Sequence, residues 1–243
     1  MRLTATLDCP GFIPWGPRAA QLMRRFGLDR QDLPEQSPSI PISVELTAGQ
    51  ICLLTGPSGS GKTLLLRQFF QQADAESRIW LEEIVLESER SVIDCVQEPL
   101  DEALRLLTQA GLADVFALLR PPAHLSTGQQ YRYRLLQALR SGRLVIFADE
   151  FGSCLDFAGA AVLALQTARL IRQRRLILLA AATREDSACF LEPDILIRFD
   201  APACAEVLAV RAPEHPGPKG MPPADLPVSQ AAIRRRGLKS VSR

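Results

Sequence analysis

A run of eight residues combines glycines, a lysine and a hydroxyl side chain in a spacing that suits phosphate binding. It matches the pattern G-x-x-x-x-G-K-[ST]. Its members, in order, are Gly56, Pro57, Ser58, Gly59, Ser60, Gly61, Lys62 and Thr63. Glycines let successive backbone N–H groups curl around a phosphate chain without clashes from Cβ atoms. We expect the whole run to bind a nucleoside triphosphate, with the Lys62 ammonium on the β- and γ-phosphates and the Thr63 hydroxyl on Mg²⁺.

Two carboxylates form a second candidate site at the end of an apolar run. Asp149 and Glu150 directly follow Leu144–Ala148, which has the composition of a buried strand. Because side chains alternate along a strand, we expect the two acids to point in opposite directions and to have different roles. Asp149 is predicted to hold Mg²⁺, and Glu150 to polarise the water that attacks the γ-phosphate. An isolated Asp-Glu pair is usually a solvated loop start, and the presence of Lys62 favours the functional interpretation.

The segment Leu125–Gln129 lies just before a predicted helix. Ser126 and Gln129 have the spacing of a capping box, in which two side chains bind backbone N–H groups at the helix start. Gly128 leaves room for an anion to approach the first turn. Taken alone, the segment indicates only a well-capped helix, but its place ahead of the acidic strand makes it a candidate phosphate contact.

The elements that must position these residues alternate between strands and helices. Strand-length apolar runs lie at 51–55, 79–85, 91–96, 144–148, 176–182 and 194–199. Helical patterns lie between them at 62–73, 100–111, 127–140 and 157–174. Near-continuous apolar strands separated by helices are typical of a mostly parallel sheet that is covered on both faces. The predicted fold class is therefore α/β.

Composition divides the chain into three predicted segments. Residues 1–40 are proline-rich and irregular apart from a helical pattern at 19–26. Residues 41–210 form the predicted α/β domain. Residues 211–243 hold seven Lys or Arg and two Asp or Glu among six prolines, and we expect a basic, disordered tail.

The overall composition is that of an ordinary globular protein and excludes several functional classes. Hydrophobic residues make up 47% and charged residues 23% of the chain, which argues against a disordered chain or a coiled coil. The net charge of +1 gives no overall field for nucleic acid. No apolar run approaches the roughly 20 residues of a membrane span. Six scattered cysteines without a C-x-x-C pair favour a reduced, cytoplasmic setting.

Three motifs, taken in their order along the chain, make the sequence resemble the ATP-binding-cassette (ABC) family over roughly residues 42–200. The motifs are Gly56–Thr63, Leu125–Gln129, which is similar to the family's L-S-G-G-Q signature, and Leu144–Glu150. A fourth and weaker match, Ser153–Asp156, is similar to the family's D-loop. The resemblance implies a P-loop NTPase fold that carries a helical subdomain.

The resemblance also implies that two copies of the chain form a head-to-tail homodimer around two ATP molecules, each with Mg²⁺ on Thr63 and Asp149. Each ATP would lie between the phosphate loop of one copy and the signature residues of the other. Those signature residues are Ser126 and Gly128, with Gln129 as a further contact. Such a dimer closes on ATP and opens after hydrolysis.

Catalysis is assigned by the resemblance to Glu150 and Lys62, and to Gln97 as the best match to the glutamine of the family's Q-loop. The sequence departs from the family after the strand at 176–182, where the family places a histidine and this chain has Arg184. Arg184 either contacts the γ-phosphate as a fixed charge or is a surface arginine. We therefore expect slow ATP hydrolysis.

Two features resemble a soluble, non-transport branch of the family, which includes ATPases joined to acetyltransferase-like domains. Lys62 and Ser126 are 64 positions apart, a spacing shorter than is usual for transporter ATPases, so we expect a shortened helical subdomain. Phe151 occupies the place where transporters usually carry a proline. Three alternatives stay open: the ATP-binding subunit of a membrane transporter, a nucleotide-gated clamp on a protein partner with little hydrolysis, and a P-loop kinase.

Overall fold

The computed structural model describes residues 1–7, 16–28, 40–183, 190–201 and 204–209. The strands are β1 (Arg2–Leu7), β2 (Ile40–Glu45), β3 (Ile51–Thr55), β4 (Arg78–Trp80), β5 (Val145–Ala148), β6 (Ile177–Ala182), β7 (Ile195–Ala201) and β8 (Cys204–Ala209). The helices are α1 (Pro17–Phe26), α2 (Lys62–Gln72), α3 (Leu100–Gln109), α4 (Val115–Leu118), α5 (Thr127–Arg140) and α6 (Phe157–Arg174). The helical patterns predicted from the sequence agree with α2, α3, α5 and α6 to within two residues at each end.

The main sheet has six strands in the order β4-β5-β6-β3-β7-β8. Strands β3 to β7 pair in parallel, and β8 pairs antiparallel to β7. On one face of the sheet Leu54 and Phe147 pack with α2. On the opposite face Leu53 and Ile146 pack with α5 and α6. Both faces are covered because the central strands are apolar on both sides, and the predicted α/β fold with a mostly parallel sheet is confirmed.

Strand β1 corrects the expectation that residues 1–40 are irregular apart from one helix. It pairs antiparallel with β2, and Leu3 is buried in the core that includes α2. Glutamine side chains of α2 bind the outer edge of β1, where Gln72 Oε1 accepts from Thr4 N at 3.0 Å and Gln68 Oε1 accepts from Thr6 N at 3.2 Å. This strand depends on a partner strand and a helix that are distant in sequence, so the local pattern alone did not predict it.

A small helical unit, formed by residues 92–125 with α3 and α4, packs against the middle of α5. Its buried residues include Val92, Leu107 and Leu118. Residues 91–96 form turns instead of the predicted strand, because Val92 and Val96 are buried in this unit and not in the sheet. The strand predicted at 79–85 ends at Trp80 and continues as a short 3₁₀ helix, Leu81–Glu83.

The tail predicted at 211–243 lies outside the described residues. Within the described ranges, none of the helices combines the length and the apolar character that crossing a bilayer requires. The helical pattern predicted at 19–26 corresponds to α1, none of whose residues is buried.

Candidate active site

The phosphate-binding loop connects β3 to α2 and has a tightly wrapped backbone. Gly56 has φ +143°, and a Cβ atom built on it would lie 2.5 Å from the carbonyl oxygen of Phe199 on β7. Gly61 has φ +103° and is the residue from which α2 starts. Both positions therefore require glycine. The N-terminal residues of α2 line the cavity beside the loop, so the positive end of the helix dipole faces that cavity.

Lys62 is held inside this loop although its side chain is charged. The residue is only 7% exposed. Its Nζ atom donates hydrogen bonds to the carbonyl oxygens of Gly56 at 2.8 Å and Pro57 at 2.7 Å. Burial lowers the pKa of Lys62, while the nearby charges of Asp149 and Glu150 act in the opposite direction. A fixed ammonium between curled backbone and open cavity suits the phosphate chain of a nucleotide.

The cavity lies where three parallel strands end at the same edge of the sheet. Lys62 and Thr63 reach it after β3, Asp149 and Glu150 after β5, and Thr183 after β6. The structure therefore brings together the lysine, the hydroxyl and the two carboxylates that the sequence singled out. Hydroxyl and carboxylate oxygens are ligands that Mg²⁺ prefers, so Thr63 and Asp149 suit this ion.

The two carboxylates stand in a turn and not on the strand itself, because β5 ends at Ala148. Glu150 has φ +46°, a conformation that is strained for a residue with a side chain. Its backbone N donates to Asp149 Oδ1 at 3.0 Å, and the Ser153 hydroxyl donates to Glu150 Oε2 at 3.5 Å. The left-handed turn, and not the alternation of a strand as the sequence suggested, therefore sets the directions of the two side chains.

Glu82 is a third acidic residue at this site, and the sequence analysis did not identify it. Its Oε1 atom accepts a hydrogen bond from the backbone N of Asp149 at 3.2 Å. Burial raises the pKa of Glu82 to about 7, the charge of Asp149 adds to the rise, and Arg134 opposes it. A signal was present, since Glu82 follows the apolar strand β4 much as Asp149 follows β5.

Gln97 is not brought to this cavity. Its side chain is exposed, and it lies in the segment that leads into α3. The predicted catalytic position depended on a strand at 91–96, whose end would have reached the edge of the sheet. Because those residues form turns of the helical unit, Gln97 lies outside the residues that line the cavity. Arg184, the other residue assigned at this edge, is outside the described part of the chain.

The start of α5 has the capping geometry that the sequence predicted. Ser126 Oγ accepts from Gln129 N at 3.4 Å, and Gln129 Oε1 accepts from Ser126 N at 3.1 Å, which confirms the capping box. Ser126 is exposed, and none of Ser126, Gly128 and Gln129 lines the cavity of its own chain. A Cβ atom on Gly128 would lie 2.8 Å from Leu155 Cδ2, so this glycine permits close packing of the segment after Glu150.

Comparison with known sequences places the three motifs in one family. The profile of the family described as ABC transporter matches residues 40–152. The cytochrome c biogenesis ATP-binding export protein CcmA of Maricaulis maris (strain MCS10) is 30% identical, and the match covers 50% of this chain and 68% of CcmA. The chain belongs to the ABC transporter ATPase family.

Two further relatives of this ABC ATPase have names that describe an import protein. The aliphatic sulfonates import ATP-binding protein SsuB of Yersinia pestis bv. Antiqua (strain Antiqua) is 33% identical, over 47% of this chain and 50% of that protein. SsuB of Delftia acidovorans is 28% identical, over 72% of this chain and 80% of that protein. The chain thus matches half the length of the first relative and most of the second.

Solved structures show the same fold. The dimeric structure of MJ0796, a bacterial ABC transporter cassette, has a TM-score of 0.56 at 17% identity and covers 72% of this chain and 94% of its own. A dimeric post-hydrolysis state of MJ0796, bound to ADP and Pi, has a TM-score of 0.56 at 16% identity, over 74% of this chain and 95% of its own. At these identities, the likeness shows the cassette fold.

Proposed function

We propose that this ABC ATPase binds ATP with Mg²⁺ and hydrolyses it slowly to drive a conformational cycle. The observation that carries the proposal is the buried Lys62 ammonium, held by the glycine loop at a cavity that also contains Asp149 and Glu150. A triphosphate is the ligand whose charge matches an ammonium, a helix N-terminus and several backbone N–H groups on one side of a cavity.

The proposed reaction divides its tasks among these residues. Thr63 and Asp149 would hold Mg²⁺, which when bound supplies positive charge to the phosphate oxygens. Glu150 accepts a proton from the water whose oxygen attacks the γ-phosphorus, while the bond from phosphorus to the ADP oxygen breaks. Lys62 compensates the charge on the β- and γ-phosphates. Catalysis is in this scheme mostly positioning and charge neutralisation.

A second copy of the chain completes the proposed site. Ser126, Gly128 and Gln129 are at an open helix start outside the cavity of their own chain, which suits contact with a nucleotide held by another copy. We therefore propose a head-to-tail homodimer with two sandwiched ATP molecules, acting in the cytoplasm. The dimeric MJ0796 cassettes support this arrangement by fold.

A single-turnover assay tests the proposed hydrolysis. ATP and Mg²⁺ are mixed with excess protein, and phosphate release by the wild-type chain is compared with Glu150→Gln. Because the variant lacks the Glu150 carboxylate, the proposed general base, we expect its phosphate release to be at least 100-fold slower. Equal and measurable rates in the two proteins would contradict the role of Glu150. Absence of measurable phosphate release from both proteins would favour the alternative function, a nucleotide-gated clamp, which the Arg184 position supports.

The ATP-binding subunit of a membrane transporter is the second candidate function. Three large apolar side chains, Val115, Phe116 and Leu119, are at least 63% exposed on and beside α4, and exposed apolar groups favour docking of a partner protein. The names of the SsuB and CcmA relatives also support it. The short helical unit and Phe151 support the non-transport branch. Co-purification of the chain with a membrane-embedded polypeptide would decide for the transporter, provided that the double variant Phe116→Ser with Leu119→Ser no longer co-purifies with it.

A further inference from the structure

The hydroxyl of Tyr131 is buried without a hydrogen-bond partner among the described residues. Tyr131 is in the second turn of α5 and is 8% exposed. A buried hydroxyl that lacks a partner lowers stability, and native proteins rarely keep one without a reason. None of the roles proposed for the residues of the nucleotide site involves this hydroxyl.

The 3₁₀ helix Leu81–Glu83, which carries Glu82, nevertheless packs against α5, and Leu81 and Tyr131 lie in one buried cluster. Burial raises the pKa of Tyr131 well above its ordinary value, and the charge of Glu82 is the next cause, with a smaller effect of Asp149. The backbone N–H of Gly152 opposes the rise. The backbone N–H of Gly152 is thus directed at the hydroxyl oxygen, and the Glu82 carboxylate is close enough for its charge to act on it, but the hydroxyl makes no hydrogen bond of ordinary geometry with any of the described residues.

The ring of Tyr131 also contacts the turn that carries Glu150. It packs edge-to-face on Phe151, with ring centroids 6.0 Å apart. The backbone N of Phe151 donates to the carbonyl oxygen of Ala181 at 2.7 Å, which fixes this residue to β6. Tyr131 therefore links α5, whose first residues form the signature, to the segment that holds the two carboxylates.

We propose that Tyr131 is a positioning residue whose hydroxyl donates a hydrogen bond to the Glu82 carboxylate when α5 shifts in the ATP-bound dimer. Glu82 already holds the backbone N of Asp149 at 3.2 Å, so this bond would fix the segment that binds Mg²⁺. The inference rests on the proposed ATP-dependent dimer. It would explain why the hydroxyl is kept although it has no partner among the described residues.

The substitution Tyr131→Phe removes this hydroxyl alone, and Tyr133→Phe is its matched control. Tyr133 is on the same helix and is 3% exposed, but its hydroxyl accepts a hydrogen bond from Gln137 Nε2 at 2.7 Å. For both full-length variants we would measure the midpoint of thermal unfolding with and without ATP and Mg²⁺, the ATP affinity and the single-turnover rate.

Opposite results are expected for the two tyrosines. Without nucleotide, Tyr131→Phe raises the unfolding midpoint by about 3 °C, because an unpaired buried hydroxyl is removed, and Tyr133→Phe lowers it by a similar amount. With ATP and Mg²⁺ the gain of Tyr131→Phe disappears, its hydrolysis rate falls about 10-fold, and its ATP affinity without Mg²⁺ is unchanged. Tyr133→Phe keeps the wild-type rate.

Two results would overturn the inference. One is a Tyr131→Phe variant that loses stability without nucleotide, which would give the hydroxyl an ordinary structural role. The other is a stability gain that persists unchanged with ATP and Mg²⁺, which would show that no bond forms in the closed state. Because the stability measurement needs no turnover, it tests Tyr131 even if the wild-type chain proves to be a clamp without hydrolysis.

Discussion

Single residues of the candidate site are kept in states that are unfavourable for an isolated side chain. Lys62 is buried with its charge, Glu150 has φ +46°, and the pKa of Glu82 is raised to about 7. Each state lowers the stability of the folded chain. Such local costs concentrate where a ligand or a reaction requires fixed charges. Here Lys62 and Glu150 line one cavity, and Glu82 binds the backbone of Asp149, which also lines it.

The substitution Lys62→Ala is expected to weaken ATP binding at least 100-fold, because it removes the ammonium of the proposed phosphate site. Titration of a fluorescent ATP analogue measures the affinity. Lys219→Ala, in the proline-rich tail, removes the same charge elsewhere and serves as the control. An affinity that stays at the wild-type value in Lys62→Ala would contradict the role of the phosphate loop.

Glu82 makes the stability of the metal-free protein depend on pH. The ordinary pKa of the group is 4.5 and its folded-state pKa is about 7, so between these values the unfolded chain loses the proton while the folded chain keeps it. The contribution of Glu82 to the free energy of unfolding is therefore complete below pH 4.5 and is lost as the pH rises to about 7. Because the side chain is partly solvated, we expect a loss of roughly 1 kcal/mol.

Urea unfolding at pH 4.5 and pH 8, in the presence of a chelator, measures this effect. The variant Glu82→Gln keeps an oxygen acceptor for Asp149 N but cannot titrate, so its stability should change less between the two pH values. A pH dependence identical to that of the wild type would show that Glu82 is not the group responsible.

At the scale of elements, the short segment that follows Glu150 meets the start of α5. Ser153 donates to Glu150, and Leu155, two residues further on, packs against Gly128. One short segment thus contacts both the base of its own cavity and the signature that would bind the nucleotide of another copy. Asp156 then caps α6 by accepting from Gly159 N at 3.1 Å.

The substitution Gly128→Ala tests this contact. The added Cβ atom would lie 2.8 Å from Leu155 Cδ2, and because that atom ends a flexible side chain, we expect Leu155 to move and stability to fall by only about 1 kcal/mol. ATP-dependent dimer formation should weaken about 10-fold, since the displaced segment alters the signature surface. Analytical ultracentrifugation measures the dimer.

The double variant Gly128→Ala with Leu155→Ala provides the matching control for the Gly128→Ala experiment. It removes the atom that the new methyl group meets, so dimer formation should return toward the wild-type level. Normal dimer formation in Gly128→Ala alone would mean that the packing between Gly128 and Leu155 has no influence on the signature.

At the scale of the whole molecule, the proposed function requires two copies of the chain. Of the signature residues, Ser126 is exposed and Gly128 and Gln129 are half-buried, and none of the three lines the cavity of its own chain. In the proposed dimer, one copy alone would hold an incomplete ATP site, and nucleotide binding would be coupled to association. Coupling of this kind stabilises the dimer only while the nucleotide is present.

Glu150→Gln is expected to accumulate as a dimer on a sizing column when ATP and Mg²⁺ are present, because binding continues while hydrolysis stops. The double variant Lys62→Ala with Glu150→Gln should elute as a monomer, since it cannot hold the nucleotide that joins the copies. Elution of Glu150→Gln as a monomer with bound ATP would contradict the sandwich arrangement.

The sequence by itself determined the parts whose physics is local. The glycine loop at Gly56–Thr63 needs only its own backbone freedom and the helix that follows. The capping box from Ser126 to Gln129 closes within one turn, and it was confirmed. The apolar strands β3, β5 and β6 follow from continuous hydrophobic runs, so the α/β fold was predictable.

Only the tertiary structure decided which distant segments meet. Gln97 matched a motif by order along the chain, but Val92 and Val96 found their apolar partners in the helical unit, and this placed Gln97 away from the cavity. Glu82 came to bind Asp149 N and Tyr131 came to pack on Phe151 because β4 pairs beside β5 and α5 covers the sheet. Burial and pairing between segments far apart in sequence leave no local periodic signal, so these contacts could be found only once the chain was folded.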